Sequence, residues 1–169
     1  RPVLLPARDL SRAEVVAFAA ASHPGLDVVT PEVFALPVDA IDADARTAAA
    51  SSWFGRKKRQ LAVLERLAPA LRDGVTVRRK EIADLTGRLA GVWRQIVQLQ
   101  VRLAQVHGLT PPDGWNPLTE AGRRWLDETI DWLIWACDAA ALRNRVGAAL
   151  SDPDPFRLAI RHLLDSRAV

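Results

Sequence analysis

Residues 77–108 read VRRKEIADLTGRLAGVWRQIVQLQVRLAQVHG, and this stretch decides the fold class. Large apolar residues recur along it at alternating intervals of three and four, namely at Ile82, Leu85, Leu89, Val92, Ile96, Leu99, Leu103 and Val106. That spacing is the heptad repeat of a helix with one continuous apolar seam. It predicts a single helix over 77–107, closed by Gly108.

A second long helix is predicted after the turn-rich loop 110–117, with Thr119 as its cap. Its apolar seam consists of Leu126, Ile130, Leu133, Cys137 and Ala140. Because a short loop between long helices favours antiparallel neighbours, we expect the two helices to form a coiled-coil-like hairpin. Trp125, Trp132 and Trp135 widen the apolar surface, so we expect a third layer, from residues 11–72 or from a partner, to cover it.

The rest of the chain predicts shorter helices. They lie over 11–21, with a capping box of Ser11 and Glu14, over 38–52, and from Arg56 to Leu71, with a single turn after Thr30. Prolines interrupt residues 1–8, which are therefore expected to be extended. A last helix is expected through Phe156, Ile160, Leu163 and Leu164. The predicted fold is thus all-α, a helical bundle in which shorter helices pack on a long antiparallel hairpin.

Composition favours a globular protein. A chain of 169 residues corresponds to one domain, so we predict a single helical domain over 1–169. With 49% hydrophobic and 25% charged residues, the composition of a disordered chain is excluded. Apolar runs are too short to span a membrane, and a lone cysteine indicates a cytoplasmic location. Methionine is absent even from residue 1, so we expect a segment of a longer protein.

Signatures of catalysis are missing from the sequence. It contains no glycine-rich phosphate loop and no Gly-x-Ser-x-Gly elbow, and its histidines are too scattered to bind a metal. Cys137 is expected to be a buried small hydrophobe. Asp127, Glu128 and Asp131 could bind a cation or form an acid–base pair, but acidic residues are favoured near the start of a helix on electrostatic grounds alone. No catalytic residue, metal ligand or cofactor is therefore predicted in this chain.

Positive charge is concentrated in the middle of the chain. Residues 51–100 carry a net charge of +7, between flanking segments of −3 and −1. Cations at a helix start oppose the helix dipole, so their placement costs stability unless a ligand uses them. Phosphate is the natural ligand, and Trp53 could stack on a base. The candidate nucleic-acid-binding residues are Trp53, Arg56, Lys57, Lys58, Arg59, Arg78, Arg79 and Lys80. The alternative is that Trp53 and Phe54 fill the core while the cations are solvated.

Two stretches carry a family resemblance. Residues 52–59 (SWFGRKKR) with 67–74 (LAPALRDG), and residues 114–119 (GWNPLT) with the Trp-rich segment that follows, resemble a helical region of large actinobacterial superfamily-one DNA helicase-like ATPases. The resemblance covers residues 50–140 and includes none of the family's motor motifs. It implies a helical arm beside two motor lobes, with ATP and Mg²⁺ bound in the absent part of the protein.

The leading hypothesis is a non-catalytic accessory domain of a DNA-processing ATPase that contacts the backbone of DNA or RNA through the basic residues. Its partners would be the nucleic acid and the motor lobes of the parent protein, with no membrane. The second hypothesis is a protein-interaction or homodimerisation module that uses the heptad seam and the tryptophans. The third is a small helical enzyme with an arginine-lined pocket for an anion, formed by Arg88 and Arg94 or by Arg143 and Arg145.

Overall fold

The computed structural model describes residues 4–151, except for the side chains of residues 4–9, 54, 106, 107 and 148–151. Five α-helices fall within this part: α1 (Leu4–Ala20), α2 (Val38–Ala50), α3 (Trp53–Leu67), α4 (Ile82–His107) and α5 (Glu120–Ser151). Short 3₁₀ helices occupy Pro31–Ala35, Ala68–Ala70 and Arg79–Glu81. The same part contains no strand, and an isolated antiparallel bridge joins Val29 to Leu71. The predicted all-α class is confirmed, whereas the predicted helix through Phe156 lies outside the described residues.

Two compact units divide the chain, one extending through Leu126 and the other beginning at Asp127. The first unit therefore contains α1 to α4 and the start of α5, and the second contains the remainder of α5. The prediction of a single domain over 1–169 stays a prediction.

The heptad seam of α4 is the centre of the core of the first unit. Every seam residue from Ile82 to Leu103 is buried. The seam residues from Ile82 to Ile96 pack in one apolar cluster with residues of α2, α3 and the 3₁₀ helix Pro31–Ala35, among them Ile41, Val63 and Phe34. Residues of 11–72 therefore cover the seam of α4. They do not form the layer expected over the tryptophans of α5, because Trp132 and Trp135 are exposed; cover by a partner stays a prediction. The hairpin of α4 with α5 stays a prediction, since most of α5 belongs to the other unit.

The starts of three helices differ from the prediction. Helix α1 begins at Leu4, so Ser11 lies buried within it and does not start it; Pro6 falls in the first turn, where a missing N–H is tolerated. Helix α3 begins at Trp53, before the basic run. Helix α4 begins at Ile82 and not at residue 77, because a 3₁₀ turn precedes it, with the Glu81 N–H donating to the Arg78 carbonyl at 2.9 Å.

The loop before α5 is fixed by side-chain hydrogen bonds. Thr119 Oγ1 accepts from the Gly122 N–H at 3.1 Å, which confirms Thr119 as the helix cap. Trp115 Nε1 donates to the Gly122 carbonyl at 2.7 Å, and Asn116 Nδ2 donates to the Pro31 carbonyl at 2.8 Å. The loop is thereby tied both to α5 and to the 3₁₀ helix that begins at Pro31.

In the second unit, the predicted seam of α5 is buried only at its start. Ile130 is buried and Leu133 half-buried, but Cys137 and Ala140 are exposed. The prediction of a buried Cys137 is therefore wrong. A position on a helical seam buries a side chain only where another element covers that seam, and most described side chains of α5 beyond Ile130 are exposed.

Candidate nucleic-acid interface

The corner between α2 and α3 orients two of the basic side chains. Arg56 donates from Nε and Nη2 to the carbonyl oxygen of Ser51 at 3.2 and 3.0 Å. Arg59 Nη1 donates to Ser51 Oγ at 2.6 Å, and this hydroxyl in turn donates to the Thr47 carbonyl at 2.7 Å. Ser51 is the C-cap of α2, where the helix dipole presents partial negative charge. The end of α2 thus offsets part of the repulsion expected between these cations and the start of α3.

A polar contact brings the second basic cluster beside α3. Gln60 Nε2 donates to the carbonyl oxygen of Arg79 at 3.3 Å. The 3₁₀ helix Arg79–Glu81 consequently lies along the same side of α3 as Gln60. One open groove of about 450 Å³ results, which we call the basic groove, and it is lined by Trp53, Arg56, Lys57, Gln60 and Arg79. Four of the eight sequence-predicted residues, drawn from both clusters, therefore meet in one groove.

The other four predicted residues lie elsewhere on the surface. Arg59 lines a separate groove of about 350 Å³ that includes residues of α2 and α3, among them the ion pair of Arg66 with Asp44. Lys58, Arg78 and Lys80 are exposed, but they line neither of these grooves. The run of four cations on α3 is therefore divided between different directions around the helix, as the helical period requires.

Positive charge in the basic groove is not neutralised by neighbouring carboxylates. Within the described part of the chain, ion pairs engage Arg46, Arg66, Arg88, Arg102 and Arg124. Neither Lys57 nor Arg79 takes part in them. All five lining residues of the basic groove are neutral or cationic. A concave surface whose cations are in none of these ion pairs attracts anions.

Trp53 borders the basic groove and is not part of the core. Its side chain is 78% exposed. The alternative interpretation, in which Trp53 fills the core, is therefore wrong, while the side chain of Phe54 lies outside the described residues. Lys57 follows Trp53 at the fourth position along α3 (i and i+4). At this spacing helical side chains are neighbours, with Cβ atoms about 5–6 Å apart.

Sequence reasoning missed Gln60 as a groove residue. Trp53, Arg56, Lys57 and Gln60 follow the 0, 3, 4, 7 spacing of a single helical face. That signal was present in the sequence, but it appears only when the helix is taken to begin at Trp53. The predicted start at Arg56 separated the tryptophan from the face that it shares with the other three residues.

Two arginines of the predicted anion pocket, Arg88 and Arg94, make contacts within their own helix, α4. Arg88 lines two surface grooves near Gly25, but its guanidinium pairs with Asp84 one turn earlier. Arg94 Nε donates to the Ala90 carbonyl at 3.1 Å on its own helix. An enzymatic role for these arginines stays a prediction.

Among the residues that the structure describes, no group of three His, Cys, Asp or Glu side chains could hold a metal ion. None of the helices in that part is both long and apolar enough to cross a membrane. Comparison with family models, with curated proteins and with solved structures gives no match. The resemblance to helicase-like ATPases accordingly stays a prediction.

Proposed function

We propose that this chain is a non-catalytic helical module that contacts the backbone of DNA or RNA through the basic groove. The observation that supports this function is that cations from two separate segments, Lys57 of α3 and Arg79 of the 3₁₀ helix, line one groove with an exposed tryptophan. Phosphate oxygens would accept charge-assisted hydrogen bonds from these side chains.

Recognition of this kind would not depend on base sequence. Lysine and arginine contacts to phosphate position a protein on nucleic acid without reading base edges. The exposed Lys58, Arg78 and Lys80 flank the groove-lining residues along the chain and would add to the attraction at longer range. Binding should weaken steeply with added salt, because each neutralised phosphate releases counterions.

The setting that we propose for this module is an actinobacterial superfamily-one helicase-like ATPase in the cytoplasm. The support is the resemblance of residues 50–140 described above. In that setting the module would contact the motor lobes of the parent protein, and those lobes would bind ATP and Mg²⁺.

Fluorescence anisotropy with labelled single-stranded and duplex DNA tests the proposed function. The Lys57→Glu, Lys58→Glu double variant should bind at least about tenfold more weakly, since a hydrogen bond to a charged group contributes about 1.5–3 kcal/mol. The matched control is Arg143→Glu, Arg145→Glu, which makes the same change in net charge at exposed positions of α5. Equal affinity of both double variants and the unmodified chain, or no binding at low salt, would refute the proposal.

A specific feature of α5 favours a second function, association with a second copy of this chain. Exposed apolar side chains follow one heptad-spaced line on this helix: Trp132, Trp135, Ala139, Leu142 and Val146. We call this line the α5 stripe. Trp132 and Trp135 are 61% and 66% exposed. This set differs from the predicted seam of α5, and its spacing could have been found in the sequence.

The area of the α5 stripe argues for a second copy as its occupant. Its large side chains expose roughly 400–500 Å² per chain, taking 150–250 Å² for a whole aromatic side chain. Two copies would therefore remove about 800–1,000 Å² from water, which at its upper end reaches the lower limit of about 1,000 Å² for a specific interface. The seam of α4, by contrast, is already buried in the first unit and offers little surface to a partner.

Light scattering over a concentration series tests this second function. The chain should shift from monomer to dimer as its concentration rises, and Trp132→Ser with Trp135→Ser should remain monomeric. Leu10→Ser serves as the control, since Leu10 is an exposed apolar residue outside the stripe. A constant monomer mass, or a dimer that survives the double substitution, would contradict association through the α5 stripe.

A further inference from the structure

The basic groove combines two features that together distinguish one form of nucleic acid from another. Its cations would attract the phosphates of any strand. Its tryptophan adds a flat aromatic surface that reaches solvent, with 78% of the side chain exposed. An aromatic ring stacks on a base only if one face of that base is uncovered.

Duplex DNA does not offer such a face within its length, because each base is covered by its neighbours in the stack. An unpaired strand can turn a base out of the stack at little cost. The indole would therefore contribute to binding of a single strand and would contribute little to binding of a duplex.

The volume of the basic groove is large enough for a ligand the size of one nucleotide. Its volume of about 450 Å³ lies within the range of about 300–1,000 Å³ that is usual for small-molecule sites. On α3 the tryptophan and Lys57 are neighbours one helical turn apart, and Arg79 lines the same groove. The hydrogen bond that Gln60 donates to the Arg79 carbonyl holds the backbone of Arg79 beside α3. Base and phosphate of the same nucleotide could thus contact Trp53 and the two cations together.

We propose that the basic groove holds an unpaired nucleotide, with its base stacked on Trp53 and its phosphate between Lys57 and Arg79, so that the module prefers single-stranded nucleic acid to duplex. This inference deepens the proposed nucleic-acid function and depends on it. It adds the strand state of the ligand and a role for the tryptophan that backbone contact alone does not need.

The test compares the dissociation constants of a labelled 12-nucleotide oligo(dT) and a 12-base-pair duplex at low salt. Base–aromatic stacking predicts that Trp53→Ala weakens binding of oligo(dT) by about 5- to 150-fold. Binding of the duplex should hardly change. Trp53→Phe should recover most of the lost affinity, because it restores an aromatic face. Val101→Ala, at an exposed apolar residue of α4 outside the basic groove and the α5 stripe, is the control and should change neither constant.

Different outcomes overturn different claims. If Trp53→Ala leaves oligo(dT) binding unchanged, or weakens both ligands equally, while Lys57→Glu with Lys58→Glu still reduces binding, the single-strand inference fails and the backbone-contact function stands. If neither ligand binds the unmodified chain at low salt, both fail. Circular dichroism of each variant verifies that an exposed substitution has left the helices intact.

Discussion

Replacing Gly122 by alanine should destabilise the protein, although helix propensity predicts the opposite. Gly122 lies in the first turn of α5, and alanine in a helix is favoured over glycine by about 1 kcal/mol. A Cβ atom at this position, however, would lie 1.8 Å from the carbonyl oxygen of Asn116 and 2.6 Å from its carbon. Contacts of Cβ atoms essentially never fall below 3.0 Å, so the loop backbone would have to retreat by 1.2 Å or more.

That retreat would disturb the hydrogen bonds that fix the start of α5. Thr119 Oγ1, which caps Gly122, also donates to the carbonyl of Asn116 at 2.8 Å. Overpacking costs about 1–3 kcal/mol and a weakened cap about 1 kcal/mol. After subtracting the gain in helix propensity, the net loss should be about 1–3 kcal/mol. For a chain of this length, the corresponding fall in Tm is roughly 3–10 °C.

Thermal and urea denaturation followed by circular dichroism at 222 nm would measure this effect. Gly91→Ala is the matched control, because its Cβ would meet nothing within 4 Å in the middle of α4. That substitution should stabilise the protein by about 0.5–1 kcal/mol. A Gly122→Ala variant that is as stable as the unmodified chain, or more stable, would refute the described packing of the loop against α5.

Two further substitutions examine polar contacts of the first unit. Thr86→Val should lower the free energy of unfolding, measured by urea denaturation, by about 1–3 kcal/mol, because the buried carboxylate of Asp42 would lose the hydroxyl that donates to it at 3.1 Å. The control Thr47→Val, at an exposed site, should change that free energy by less than about 0.5 kcal/mol. Hydrogen bonds from the Thr30 hydroxyl and from the backbone N–H of Glu32 itself lower the pKa of the Glu32 carboxyl below its ordinary value of 4.5. The resulting stability is present above that pH and is lost as pH falls through the lowered pKa. Glu32→Gln should therefore flatten the acid side of a stability–pH curve, and an unchanged curve would contradict the contact.

Periodicity in the sequence predicts much of this fold. The heptad of α4 and its closure at Gly108 appear in the structure, because a long apolar seam has few alternatives to a buried helix face. The partner of that seam could not be predicted in the same way. Helix α2 is rich in alanine and aspartate, and its apolar pattern is too weak to indicate that Ile41 would join the core.

The candidate site was only partly predictable. Residue types indicated the two basic clusters, but their convergence depends on a contact between Gln60 and Arg79 that no local pattern encodes. The predicted cost of placing cations at a helix start also overlooked the end of α2, to which Arg56 and Arg59 bind through Ser51. Both the convergence of the two clusters and the binding of Arg56 and Arg59 at the end of α2 depend on how separate segments of the chain pack, which residue type alone does not predict.

The salt dependence of oligo(dT) binding tests the central claim most directly. Each phosphate contact to a single strand changes the slope of log affinity against log salt concentration by about 0.7. Because Lys57 and Arg79 are assigned to one phosphate, the Lys57→Gln, Arg79→Gln variant should show a slope shallower by about 0.7. The Arg143→Gln, Arg145→Gln variant should keep the original slope. An unchanged slope in the first variant would contradict the assignment of the basic groove as the nucleic-acid site.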